Sequence, residues 1–175
     1  VERFADGYKK EKQSRHLLDY NDLEQETLRL LYRKGSTPTA AAKEISKRYV
    51  ELMIDEYQDT NGVQDKIFSA ISRNGENLFF VGDVKQSIYG FRRAEPKIFT
   101  NKYYSYADYI KAKDGEPRRI LLSDNFRSSK AILSAANDVF RLNMNQRVGD
   151  VDYGTYEELR AKGDVPALDR PAVEF

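Results

Sequence analysis

The chain has 175 residues, 40% of them hydrophobic and 12% aromatic, enough to bury the core of one domain or of one and a fraction. Its 29 basic and 28 acidic residues nearly cancel, so no global pull on nucleic acid is indicated, and any such binding has to come from local patches or stacking side chains. Cysteine is absent, which excludes disulfides and thiolate metal sites and permits a reducing cytoplasm, and the single His16 cannot build a histidine-rich metal site.

The start, "VERFADGYKKEK", has no signal-peptide core, and its polar character without a leading methionine suggests an internal stretch of a longer protein. No apolar run approaches the roughly 18 residues needed to span a bilayer, so the expectation is a soluble cytoplasmic protein with no membrane partner. The first 49 residues read as helices. In "YNDLEQETLRLL", Asn21 is the expected N-cap with Glu24 three residues on, and Leu23, Leu30 and Leu31 form one face. "TPTAAAKEISKRY" offers Thr37 as a cap with Pro38 at the first helical position.

Val50 to Ile54 and Asn77 to Asp83 are short apolar runs bounded by polar turns, the pattern of strands buried on both faces. Between them Val63, Ile67 and Ile71 recur at i, i+4 and i+8, an amphipathic helix, with Asp59 and Asn61 as caps ahead of it. Strand, helix and strand together predict a parallel crossover unit. Phe99, Tyr103, Tyr106 and Ile110 then share one helical stripe, read as a core face in preference to a base-stacking platform. A polar loop follows at "KAKDGEPRR", and Arg119 to Asp124 is the third apolar strand. "SSKAILSAANDVF" is helical, with Ser128 as cap and Ile132, Leu133, Ala136, Val139 and Phe140 inward; beyond Asn143 the pattern fades into a loosely structured tail. The fold class is α/β, a mostly parallel sheet flanked by helices.

In open α/β sheets ligands gather at the carboxyl ends of strands, and each of the three candidate strands ends in residues suited to phosphoryl transfer. Asp55 ends the first and could hold magnesium, a cation that prefers hard oxygens and keeps several waters. Glu56 follows, placed to accept a proton from an attacking water; the same two acids could merely open a turn and cap the next helix. In "VGDVKQSIYGFRRAEP", Gln86 stands three residues past the acid that ends its strand, positioned to sense a γ-phosphate or orient a water. Tyr89, Phe91, Arg92 and Arg93 mix rings with guanidinium groups, which suits single-stranded nucleic acid, although Tyr89 and Phe91 could equally pack in a buried turn. Arg127, after the third strand and before a helix, could reach a phosphate as an arginine finger or form a surface salt bridge.

In order along one chain, "IDEYQDTN", "GDVKQSIYGFRRAEP" and "LSDNFRSS" resemble the Walker B motif and motifs III and IV of UvrD/Rep/PcrA-type superfamily 1 DNA helicases. The spacing from Asp55 to Asp83 fits as well, and "LLDYNDLE" resembles the segment upstream of Walker B. Within the family, "GDVKQSIY.FRRAEP" and "VGDVDY" look most like the AddA helicase–nuclease branch of bacterial recombination complexes. The resemblance covers Leu17 to Tyr153 and implies a partial RecA-like (P-loop NTPase) domain, with 1–123 the later part of a first motor domain and 124–175 the beginning of a second. It implies ATP and Mg2+ as cofactors, single- and double-stranded DNA as partner, and a second, AddB-like helicase/nuclease subunit.

By the same resemblance Asp55 and Glu56 serve the magnesium site, Glu56 activates water, Gln86 couples the γ-phosphate to DNA, and Arg127 stabilises charge on the transferring phosphate. Tyr89 and Phe91 would stack on bases of the tracking strand, and Arg92 would contact DNA or link to the nucleotide. Movement would run 3′ to 5′. Two positions depart from the pattern: Arg93 stands where the wider family has glycine ("FRGA"), and Gly90 is the UvrD-like residue where AddA-like proteins have a basic one. No G-x-x-x-x-G-K-[ST] loop occurs, and none of the 10 glycines is followed by lysine plus a hydroxyl residue. The isolated chain is therefore expected to hydrolyse no ATP. The alternative is a helicase-like DNA-binding scaffold without ATPase activity, against which the intact set Asp55, Glu56, Gln86 and Arg127 argues.

Overall fold

The computed structural model describes residues 2–33, 37–145, 147–148, 151–154 and 157–163; Gly149, Asp150 and the end of the expected tail, 164–175, lie outside them. The chain divides into two compact units, Val1–Val81 and Gly82–Phe175.

In the first unit α1 (Glu2–Ser14) leads to α2 (Tyr20–Leu31), whose N-cap is Asp19 and not Asn21. Asp19 accepts from the Asp22 amide at 2.9 Å and Asp22 accepts from the Asp19 amide at 3.0 Å, a reciprocal box that satisfies two otherwise orphaned donors. The inward row of α2 is Glu24, Leu28 and Leu31, while Leu23 and Leu30 are exposed, so only one of the three expected leucines is buried. Glu24 faces inward because it accepts from Gln64 Nε2 at 2.8 Å.

Thr37 and Pro38 are not a helix start. They form β2 (Thr37–Pro38), antiparallel to β1 (Tyr32–Arg33), and Thr39 caps α3 (Ala40–Ser46) by accepting from the Ala42 amide.

The crossover forms as its periodicity requires. β3 (Leu52–Ile54) pairs in parallel with β4 (Leu78–Phe80), and α4 (Gly62–Ile71) connects them. Asn61 caps α4 by accepting from the Val63 and Gln64 amides at 2.8 and 2.9 Å, whereas Asp59 belongs to a 3₁₀ turn, Tyr57–Asp59. Leu31, Ala42 and Ala70 form the core, with Tyr32, Ile45, Ile67 and Ile71 against it. The strands are not buried on both faces: Met53 and Phe79 are exposed between half-buried neighbours, the period-2 alternation of a ladder packed on one side.

The second unit holds α5 (Pro96–Ser105), β5 (Ala107–Asp108), β6 (Arg118–Arg119), β7 (Asp124–Asn125), α6 (Lys130–Asn143) and β8 (Arg160–Ala161). β5 pairs in parallel with β6, and β7 with β8. α5 ends where Tyr106 turns extended, so the expected stripe stops short: Phe99, Tyr103 and Tyr106 are half-buried and Ile110 is exposed. Arg119 to Asp124 is not one strand, because its two ends pair with different partners and Ile120 and Leu122 lie exposed between them.

Ser129, not Ser128, occupies the N-cap position of α6. Leu133, Ala136, Asn137 and Phe140 turn inward, while Ile132 and Val139 are exposed. The described part of the tail is not loose: β8 pairs with β7, and Asn137 holds Leu159 by both backbone groups. Among the described residues the strands form four two-stranded ladders, three of them parallel, rather than one sheet. None of their helices is long and apolar enough to cross a membrane.

Candidate functional site

In the first unit the ladder determines where the acids fall. The Val81 amide donates to the Ile54 carbonyl at 2.9 Å and the Tyr57 amide donates to the Val81 carbonyl at 2.8 Å. Asp55 and Glu56 are the two residues spanned by these bonds, at the carboxyl end of β3, and both are exposed. Asp55 Oδ1 accepts from the Glu56 amide at 2.9 Å.

Glu56 has φ of 48°, a left-handed conformation that costs a residue with a Cβ on the order of 1 kcal/mol or more and persists only where its surroundings impose it. Those surroundings are visible. Tyr57 is buried with its ring 4.2 Å from that of Phe80, and its hydroxyl donates to Asp65. Gln58, 1% exposed, donates from Nε2 to Glu56 Oε2 at 2.6 Å and so fixes the carboxylate from beneath. Burial, and then the neighbouring charge of Glu56, raises the Asp59 carboxyl above its ordinary value.

No group of three or more metal-ligating side chains occurs among the described residues. Magnesium does not need one, since it is held by one or two carboxylates together with waters and substrate phosphates. An exposed Asp55 backed by Glu56 fits that donor set.

In the second unit Asp83 organises motif III. It accepts from the Lys85 amide at 3.1 Å, pairs with Lys85 Nζ at 2.8 Å and accepts from Gln86 Nε2 at 3.0 Å, so Gln86 is tethered to the acid three residues before it. Tyr89 and Phe91 have ring centroids 5.8 Å apart, and the Arg92 guanidinium lies 5.3 Å from the first ring and 5.7 Å from the second. Phe91 is 78% exposed, so this is not a turn that buries its aromatics. Arg93, where the wider family has glycine, has φ of 67°, the conformation for which glycine carries least cost.

Arg127 follows β7 in a turn held by Asn125, whose Oδ1 accepts from the Arg127 amide at 3.0 Å and the Ser128 amide at 2.8 Å. Its side chain is exposed. The structure thus joins Asp55 with Glu56 in one unit, and Tyr89, Phe91 and Arg92 in the other; among the described residues no hydrogen bond links Arg127 to Gln86 or to the aromatic cluster. Gln58, Asp83 and Lys85 support these residues, and sequence reasoning does not single them out. The one signal for Gln58 is an amide set among the acids of "DEYQDT".

Residues 1–107 match the UvrD/REP helicase N-terminal domain, and the chain belongs to that family. It is 44% identical over 178 residues to the AddA ATP-dependent helicase/nuclease protein of Listeria welshimeri, an alignment that takes in 100% of this chain and 14% of the relative. The proteins of the same description from Pelotomaculum thermopropionicum and Clostridium acetobutylicum are 43% and 45% identical, over 96% and 91% of this chain. The chain spans about one seventh of the length of these relatives.

Proposed function

We propose that the chain is an internal stretch of an AddA-like, ATP-driven DNA translocase and helicase that serves double-strand break repair and recombination in the bacterial cytoplasm. Residues 1–123 are then the later part of a first RecA-like motor domain and 124–175 the beginning of a second. The observation that carries this reading is the turn after β3, where two exposed acids end a parallel strand and a buried glutamine orients the second of them. A turn that served only to cap α4 would not need it, since Asn61 does the capping.

In this reading Asp55 holds Mg2+ and Glu56 takes the proton of the attacking water, its carboxylate aimed by Gln58. Bound magnesium would neutralise charge on the phosphates. Gln86, restrained by Asp83, reports the state of the γ-phosphate to the adjoining Tyr89–Phe91–Arg92 cluster, which stacks on bases and meets the backbone of single-stranded DNA. Arg127 stabilises the charge that develops on the transferring phosphate. ATP is bound chiefly by a glycine-rich loop, which these 175 residues lack, so the isolated chain turns over no ATP. A second, AddB-like subunit completes the parent complex.

The test is DNA-stimulated ATP hydrolysis by the parent protein beside a Glu56→Gln variant. Hydrolysis stimulated by single-stranded DNA and lowered about 10²- to 10⁴-fold in the variant is expected, the usual weight of a general base. A parent that binds DNA but hydrolyses nothing would be the scaffold.

A further inference from the structure

We propose that the segment Leu159–Gly163 is a positioning strap for Arg127, anchored by Asn137 and closed by Gly163; this rests on the reading of Arg127 given above. Asn137 is a buried polar residue on the inward row of α6. Its Nδ2 donates to the Leu159 carbonyl at 3.0 Å, and its Oδ1 accepts from the Leu159 amide at 3.1 Å and from the Tyr153 hydroxyl at 2.5 Å. One side chain therefore holds both backbone groups of the residue at which the strap begins.

From there the strap runs beside the chain that leads to Arg127. The Arg160 amide donates to the Ser123 carbonyl and the Lys162 amide to the Asn125 carbonyl, each at 2.9 Å. Asn125 carries the turn that presents Arg127. The strap ends at Gly163, where a Cβ would lie 2.5 Å from the Phe126 carbonyl oxygen, 3.0 Å from its carbon and 3.1 Å from Phe126 Cα. Each of these contacts is backbone, which cannot swing aside as a side-chain tip can. Only glycine lets the strap close on the residue next to Arg127.

A guanidinium that acts in the transition state is sensitive to such support, because a displacement of about 1 Å can cost on the order of 10²-fold in rate. The strap touches backbone before Arg127 and leaves its side chain exposed, so it acts through Arg127 and makes no contact with substrate.

The experiment compares DNA-stimulated ATP hydrolysis by the full-length parent with Arg127→Ala, Gly163→Ala, Tyr153→Phe and the Arg127→Ala/Gly163→Ala double variant. Gly163→Ala is expected to lower kcat about tenfold or more with KM for ATP little changed, and to add nothing in the Arg127→Ala background, the mark of two residues acting as one unit. Tyr153→Phe keeps the ring on Phe140 and removes only the donor to Asn137, so a smaller fall in kcat is expected. If Gly163→Ala does not fold, Tyr153→Phe decides alone. An unchanged kcat in the folded strap variants beside an impaired Arg127→Ala, or losses that add in full, would overturn the strap. An unaffected Arg127→Ala would overturn the role of Arg127 itself.

Discussion

The two units are held together by different forces. Val1–Val81 is organised around apolar contacts among Leu31, Ala42 and Ala70, with Tyr32, Ile45, Ile67 and Ile71 against them. Gly82–Phe175 depends on a polar network. Asn137 holds Leu159 and Tyr153, and the Tyr103 hydroxyl donates to Glu157 at 2.6 Å. The Arg119 guanidinium lies 4.6 Å over the Tyr103 ring and donates to the Tyr103 carbonyl at 2.7 Å. Burial, and next the bond to Glu157, push the Tyr103 hydroxyl well above the ordinary tyrosine range. Apolar burial is non-directional and degrades in proportion to area lost, whereas a buried polar network that loses one member leaves its partners unsatisfied.

Truncation should separate the two kinds of support. Leu31→Ala removes a side chain only 2% exposed from the centre of the apolar cluster and should destabilise the first unit by about 2 to 5 kcal/mol. Hydrogen exchange in the parent protein should show the loss in α2, α3 and α4, with α6 and β8 unaffected. Equal loss of protection in both units would remove the contrast.

Asn137→Ala should cost the second unit about 1 to 3 kcal/mol, since the amide and carbonyl of Leu159 both lose their partner in a part-buried setting. Exchange at Leu159 and along β8 reads it out. A loss below about 0.5 kcal/mol would mean that water replaces the side chain freely and that the network is no anchor.

Arg93→Gly works in the opposite direction. Relieving a left-handed residue that carries a Cβ should stabilise the turn by up to about 1 kcal/mol, less the entropy that glycine adds to the unfolded chain. A thermal melt of the parent gives the sign. Destabilisation would show that the arginine side chain makes contacts that outweigh its backbone strain.

The same contrast governs what can be read from sequence. The β3–α4–β4 crossover is legible because burial on one side imposes its own period: Ile67 and Ile71 recur every turn, and Asn61 is a cap with Gln64 three residues on. The acids at the end of β3 are legible from the run that precedes them. Asn137 is not, because a lone asparagine in a helical pattern looks like a surface residue until its partners 16 and 22 positions away are known. Ladders of two residues, such as β5–β6 and β7–β8, are too short to carry a period. The left-handed Glu56 gives no signal, since ladder bonds on either side impose its conformation.

The smallest effect expected is at the junction of α1 and α2, an ionic contact of a kind absent from the apolar cluster. Lys12 donates to Asp19 at 2.8 Å and to Asp22 at 2.5 Å, and the bond from Lys12, followed by the Asp22 amide, lowers the Asp19 carboxyl from the ordinary 3.8 to about 2. A carboxyl lowered on folding contributes stability in full above its unfolded value. That contribution falls away as pH drops from about 4 to about 2, where the folded form also takes up the proton. Lys12, raised by its bonds to Asp19 and then Asp22, behaves inversely: its share is complete below 10.5 and is lost as pH climbs through the raised value. Acidification should therefore loosen α1 from the start of α2 before it disturbs Leu31, Ala42 and Ala70. Because the pair is solvent-accessible, added salt should weaken it at neutral pH as well. Amide protection in α1, followed from about pH 5 to about pH 2 in the protein and in Lys12→Met, tests this. The variant should start with lower protection and a flatter profile, and identical profiles would show that the ion pair holds nothing.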